Sequence, residues 1–284
     1  MSERKPKKKD DGAEGGRAFY VYCIAERAAL QKLFDKRLPQ AIESDARLEL
    51  INEDDLAAVA SSVPLADYGE QALQERFNDA AWAATRAMRH ERVVEHFASR
   101  ASVIPLRFAT IYLSRERVRQ RLAEKCDELH RIIERLEGRE EWGVNVYRNR
   151  AKLMEAIATL SPRLRELGEQ AAAASPGQSY LLKKKIEAMK ADEARAETGR
   201  VVAEIERELG RASDGAARLT VMKGEASEAG ETVAKLAFLV ERARFDQFRD
   251  AAETLAEKHA DSGFMLEMTG PWPAYNFAGT KSKK

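Results

Sequence analysis

Cysteine is nearly missing from this chain: Cys23 and Cys126 are the only two in 284 residues. Two thiols so far apart in sequence make neither a disulfide framework nor, by themselves, a zinc site. Each is expected as a small buried hydrophobe. The first sixteen residues contain no apolar stretch of the kind a secretory signal needs, so a reducing, cytoplasmic setting is expected. No run of about 18 or more apolar residues occurs, which excludes a membrane-spanning helix. An excess of one charge sign is missing too: 48 Lys and Arg face 47 Asp and Glu, a net charge of +1. That balance argues against a nucleic-acid binder drawing its affinity from bulk positive potential. Aromatics are only 7%, and 16 glycines with 8 prolines are too few for a low-complexity chain.

What is present is enough for a packed protein. Hydrophobic residues reach 44%, close to the globular norm, and the length fits about two domains. Residues 1–16, with the Lys7–Lys9 run, and residues 279–284 read as polar tails, because they hold too little apolar surface to offset the entropy of ordering. Between them the hydrophobic period alternates in a repeated order. Ala18–Ala25 reads as a buried strand. Glu26–Leu38 reads as a helix closed by Pro39, and residues 48–59 as a hairpin turning at Asn52–Asp55. Residues 70–100 read as helix and Ser102–Tyr112 as a strand. In that strand Ile104, Leu106 and Phe108 alternate with Val103, Arg107 and Ala109, so one face should be buried. Arg107 either projects outward or pairs with an acid.

The order then recurs. Ser114 caps a helix predicted to run to about Leu136. Trp142–Tyr147 is a strand, and residues 150–210 are helical with a break at Ala174–Gln178. Ala217–Met222 and Val233–Glu241 are strands, Arg244–His259 is a helix, and Phe264–Met268 is a last strand stopped by Gly270-Pro271. The expected class is α+β, with two ferredoxin-like βαββαβ domains. The boundaries are 17–112 and 113–278, the second domain having a bridging helix and a helical insertion.

Chemical motifs are scarce. There is no phosphate-binding glycine loop and no HExxH pair. His90 and His96 stand six positions apart, off one another's helix face. With Arg89, Glu91 and Glu95 they read as a solvated helix surface carrying (i, i+4) pairs. The carboxylate pairs Asp54-Asp55 and Glu140-Glu141 fall at turns. The segment Ile104–Ala109 lacks the aromatic and basic signature of an RNA-binding strand. No catalytic residue, no cofactor and no metal is therefore expected. Two features remain as candidate protein-interaction surfaces. One is the run Lys183, Lys184 and Lys185 after Tyr180-Leu181-Leu182. The other is the aromatic set Trp272, Tyr275 and Phe277, which either plugs the end of a domain or presents anchors to a partner.

Several segments together resemble the gas vesicle protein F/L family (GvpF/GvpL). They are Tyr20-Val21-Tyr22, Met88–Glu91 before Val93-Val94, Val103–Thr110, Glu141–Tyr147, Tyr180–Lys185, Leu236–Val240 and Leu266–Phe277. The likeness extends from about Phe19 to Phe277, with two departures: a longer charged N-terminal tail, and Ala109 where family members often carry glycine. The resemblance implies a non-enzymatic accessory protein of gas vesicle assembly, located at the vesicle or in the cytoplasm. It implies binding to the hydrophobic GvpA-type shell protein and to other accessory proteins. A shell subunit exposes a large apolar face before assembly, and such a face is an aggregation hazard. A protein that guards it needs binding surface rather than catalytic groups. The competing expectation is a small-molecule sensor or enzyme that uses paired ferredoxin-like domains.

Overall fold

The structure, a computed structural model, describes residues 16–34 and 37–279. The Lys7–Lys9 run and Thr280–Lys284 lie outside the described residues. The chain packs as two units. Residues up to Glu137 and those from Pro273 onward form one, and Gly138–Trp272 forms the other. The residues from 113 to 137, and those from Pro273, thus group with the first sheet, where the sequence placed them with the second.

The first unit is a mixed α/β assembly around an antiparallel sheet. Its strands are β1 (Arg17–Glu26), β2 (Leu48–Glu53), β3 (Leu56–Pro64), and the two-residue β4 (Ile104–Pro105) and β5 (Ile111–Tyr112). The order is β2-β3-β1-β4, with β5 also on β1. Eight consecutive residues of β1 are buried, as a strand covered on both faces requires. One face carries Tyr20, Tyr22, Cys23 and Ala25, helped by a register shift in the β1–β3 pairing between Val21 and Cys23. It packs with Leu30 and Leu33 of α1 (Arg27–Phe34), Tyr68 of α2 (Leu65–Tyr68), and Val93, Val94 and Phe97 of α4 (Ala80–Ala98). The short α3 (Glu70–Arg76) precedes α4, and the Asp79 carboxylate caps α4 by accepting from the backbone N–H groups of Ala81 and Trp82.

Besides the helix expected over 70–100, which breaks at residues 77–79 into α3 and α4, sequence and structure part at three further places in this unit. Helix α1 is described over Arg27–Phe34, and Leu38 is not helical. The helix expected over 114–136 is two helices, α5 (Arg115–Glu124) and α6 (Cys126–Leu136), because Lys125 leaves helical geometry at φ −113°. Ser114 does cap α5, accepting from Arg117 N at 3.2 Å. Helix α5 lies on β2, β3 and β5. There the Arg115 guanidinium sits 4.9 Å from the centre of the Phe19 ring and pairs with Glu49 of β2.

The third difference is the strand expected over 102–112. Only its ends join the sheet, since Pro105 has no N–H to continue a ladder and Ala109 adopts φ +64°. A turn closes the excursion, with Thr110 N donating to Arg107 O. Alternation therefore fails: Val103, Ile104 and Pro105 are all buried, Leu106 is half-buried and Arg107 is exposed. A charge at Leu106 would not enter the core as the alternating pattern implies.

The second unit has strands β6 (Arg139–Arg148), β7 (Gly215–Leu219), β8 (Ala226–Ser227), β9 (Gly230–Glu241) and β10 (Phe264–Trp272), in the order β10-β6-β9-β7 with β8 on β9. All pairs are antiparallel. Strand β10 runs past Met268 to Trp272, rejoining Glu141 after a register shift that takes in Gly270 and Pro271. Proline is tolerated there because β10 is an edge strand. The helices are α7 (Arg150–Leu160), α8 (Pro162–Ala173), α9 (Pro176–Arg211) and α10 (Phe245–Ala260). The break between α7 and α8 is local chemistry: Ser161 accepts from Leu164 N, and Pro162 occupies the first helical position. Leu153, Ile157, Val202, Ile205, Phe238 and Phe248 fill the core.

Ala109 is an L-residue in the left-handed region, which costs about 1–2 kcal/mol. Ala109→Gly removes that cost but loosens the unfolded chain by about 0.4–1 kcal/mol. We expect a net gain of between about zero and about 1.6 kcal/mol, seen as a higher urea midpoint at unchanged slope.

Candidate functional site

Polar chemistry in the first unit converges on His90. It lies on the buried stripe of α4, in phase with Val93, Val94 and Phe97, and its side chain has no solvent exposure. The expected solvated surface at this position is thus corrected. Tyr20 Oη accepts from Ala109 N at 2.9 Å and lies 2.9 Å from His90 Nδ1. The Tyr20 proton is then free to go to Nδ1. Nε2 faces the Leu106 carbonyl at 3.1 Å, which only accepts, so Nε2 carries the ring proton. Tyr275 Oη lies 3.1 Å from Nε2 and donates to Glu91 Oε1 at 3.0 Å. One neutral tautomer satisfies every partner. The surrounding rings of Tyr20, Tyr22 and Phe108 complete the enclosure. Burial pushes the His90 pKa down to about 4, against the Leu106 hydrogen bond, which raises it.

A second polar group sits beside it. Tyr68 donates to Glu43 Oε1 at 2.5 Å, and the Arg86 guanidinium grips both carboxylate oxygens of Glu43 at 3.0 Å. The same guanidinium covers the Trp82 ring at 4.7 Å. These contacts hold the Ile42–Glu43 loop to α4, aided by Arg89, which donates to Ile42 O.

The residues singled out from sequence fall into separate places. Lys183, Lys184 and Lys185 are exposed on the N-terminal third of α9. Tyr180 (59% exposed) and Leu181 (65%) stand beside them, and the Lys184 ammonium lies 5.4 Å from the Tyr180 ring centre. Trp272 belongs to the second unit, is 55% exposed, and donates to Thr269 Oγ1. Tyr275 and Phe277 belong to the first unit. Tyr275 is half-buried on His90 and Glu91, while Phe277 is buried and its carbonyl accepts from Arg135. Of the aromatic set, Trp272 is the exposed one.

Cys126 is not the buried hydrophobe expected. It is half-exposed at the start of α6, with its Sγ 3.5 Å from His130 Nδ1. His130 Nε2 lies 2.9 Å from Asp55 Oδ2 in the β2–β3 turn. Cys23, by contrast, is buried as expected, and desolvation pushes its thiol pKa well up. In the second unit a cavity of about 310 Å³ is floored by Leu153, Met154, Ala191 and Ala194 and rimmed by arginines. Its Arg148 is already committed to Thr198 and Glu231.

The chain matches the family model described as "Gas vesicle synthesis protein GvpL/GvpF" over residues 18–279. It belongs to the GvpL/GvpF family. Gas vesicle protein L of Streptomyces sp. (strain CB03234) is 30% identical over 266 residues, covering 92% of each chain. Gas vesicle protein F of the same organism is 26% identical over 196 residues, covering 67% of this chain and 76% of that relative. The fold is shared with the crystal structure of GvpF from Anabaena sp. PCC7120, at TM-score 0.65, 17% identity and coverage of 94% and 98%. GvpF from Microcystis aeruginosa has TM-score 0.55 at 15% identity, covering 93% and 99%. The GvpL/GvpF match takes in both units and ends two residues beyond Phe277. Among the described residues of this GvpL/GvpF protein, no helix is long and apolar enough to cross a membrane.

The His90 network makes stability depend on pH. The unfolded chain protonates this histidine near pH 6.5, whereas the folded chain resists down to about 4. The folded state therefore loses up to about 3 kcal/mol from this group as pH falls through that window. Urea unfolding of the wild type and of His90→Gln at pH about 7 and about 4 should show the variant less stable at neutral pH and its acid limb flattened.

Proposed function

We propose that this GvpL/GvpF-family protein is an accessory component of gas vesicle assembly. It binds the hydrophobic GvpA-type shell protein and other accessory proteins, and supports nucleation and growth of the wall. The observation that carries this reading is the family match over residues 18–279, together with 30% identity to a gas vesicle protein L across almost the whole of both chains. Its mode of action is binding rather than catalysis, and its place of work is the vesicle or the cytoplasm around it. Each unit is read as a ferredoxin-like βαββαβ layout. The antiparallel order with the first and third main strands central, β2-β3-β1-β4 and β10-β6-β9-β7, supports that reading.

The surface best suited to a partner is the start of α9. Tyr180 and Leu181 offer exposed apolar area that the protein's own core leaves uncovered. Lys183, Lys184 and Lys185 border it with positive charge, so an apolar segment flanked by acids fits best. Trp272 is a second exposed aromatic.

Two measurements test this. Deleting the gene from an otherwise intact gas vesicle cluster should abolish or deform vesicles, and restoring it should rescue them; normal vesicles in the deletion strain refute the role. Replacing Tyr180 and Leu181 with serine and Lys183–Lys185 with glutamate should leave the far-ultraviolet circular dichroism unchanged. It should weaken capture of the shell protein by about thirtyfold, the loss of about 2 kcal/mol expected for one anchor cluster.

A further inference from the structure

We propose that Asp55, Cys126 and His130 form a binding site for a divalent metal ion of borderline softness, with zinc the best match to the donors. The proposal does not rest on the vesicle role. The scarcity of cysteine in the sequence did not point to it, because the third donor comes from 71 positions before Cys126.

The residues are assembled by two elements. Cys126 opens α6, and His130 follows one helical turn later, so both side chains share a face. Asp55 stands in the turn between β2 and β3. One donor atom from each residue lies within 4.8 Å of the other two. A tetrahedral zinc with bonds of about 2.0–2.3 Å separates its ligands by about 3.3–3.8 Å. Cys126 Sγ lies 3.5 Å from Nδ1, so its side chain must turn toward the Nε2 side of the ring to complete the set.

The histidine is already oriented for the task. Nδ1 lies 2.9 Å from the Cys126 carbonyl, which only accepts, so Nδ1 carries a hydrogen. Nε2 is the nitrogen left to coordinate, and it is aimed at Asp55 Oδ2, 2.9 Å away. A ligating histidine whose second nitrogen donates to a backbone carbonyl is the usual supporting arrangement at metal centres. On binding, the Cys126 thiol proton, and any proton held at Nε2, pass to solvent as the S–Zn and N–Zn bonds form.

The surrounding field favours a cation. Asp54 and Asp127 act on the thiol, and Glu26 acts on the imidazole. The adjacent cation, Lys125, is turned to Glu128 at 2.7 Å. One thiolate, one imidazole and one carboxylate suit zinc better than the all-oxygen preference of magnesium or calcium. Three protein ligands leave one position for water. Occupied, the site would pin the β2–β3 turn to α6.

The test uses cobalt(II) as a spectroscopic stand-in for zinc on the full chain, purified without a histidine tag. One equivalent should bind with a thiolate-to-cobalt charge-transfer band in the near ultraviolet, and zinc should bleach that band by displacement. Cys126→Ser should abolish the band. Asp55→Asn and His130→Gln should each weaken cobalt binding at least about tenfold while circular dichroism stays that of the wild type. Absence of the band in the wild type overturns the proposal. So does a band that survives Cys126→Ser, which would belong to Cys23, or binding unaltered in both Asp55→Asn and His130→Gln. Zinc should also raise the melting temperature of the wild type and not that of His130→Gln, a readout independent of the thiolate band.

Discussion

A strand buried on both faces cannot leave a polar atom idle, and β1 carries two tyrosines in its middle. An unpaired hydroxyl in such a place costs roughly 1–3 kcal/mol. The neighbourhood of β1 is arranged around meeting that requirement. Tyr22 Oη takes the Ile42 N–H and lies 2.8 Å from Ser61 Oγ. Tyr20 Oη takes the Ala109 N–H and reaches His90. The strained backbone at Ala109, the buried ring on α4 and the excursion between β4 and β5 thus serve one end, the satisfaction of Tyr20. Because His90 then passes to Tyr275, the same requirement fixes the segment after Pro273.

This dependence explains a local conflict. A regular strand over 102–112 would have been the cheaper backbone, yet it would carry the Leu106 carbonyl and the Ala109 amide into ladder bonds. The excursion frees both for His90 and Tyr20 while its ends stay tied to β1, through Leu106 N to Tyr22 O and Val21 N to Thr110 O. Sites where a local preference is overruled are where long-range polar demands concentrate.

Much of the architecture was legible in the residues. The hairpin at Asn52–Asp55, the Ser114 cap, the break near Pro176 and the run of buried residues in β1 follow from turn chemistry, capping and apolar continuity, which act over a few positions. What was not legible depends on partners far away in sequence. His90 stands at helical phase with Val93, Val94 and Phe97, so its burial had a local signal, but its charged neighbours Arg89 and Glu91 pointed to solvent. Those neighbours are explained only by Ile42 and Tyr275, 47 and 184 positions away. Cys126 and His130 showed an (i, i+4) spacing, and nothing local announced Asp55. Ser161-Pro162 was a readable stop that a long apolar and alanine-rich pattern masked.

The return of the chain to its first unit has a consequence for how the protein is made. Gly138–Trp272 is an insertion within another folding unit, whose own last pieces, Tyr275 and Phe277, are translated after it. During synthesis the inserted unit is complete while the first still lacks the hydroxyl that sits against His90 and Glu91. Domains generally fold as the ribosome releases them. Here the first unit is closed after the inserted one, because its closure waits for Pro273–Phe277.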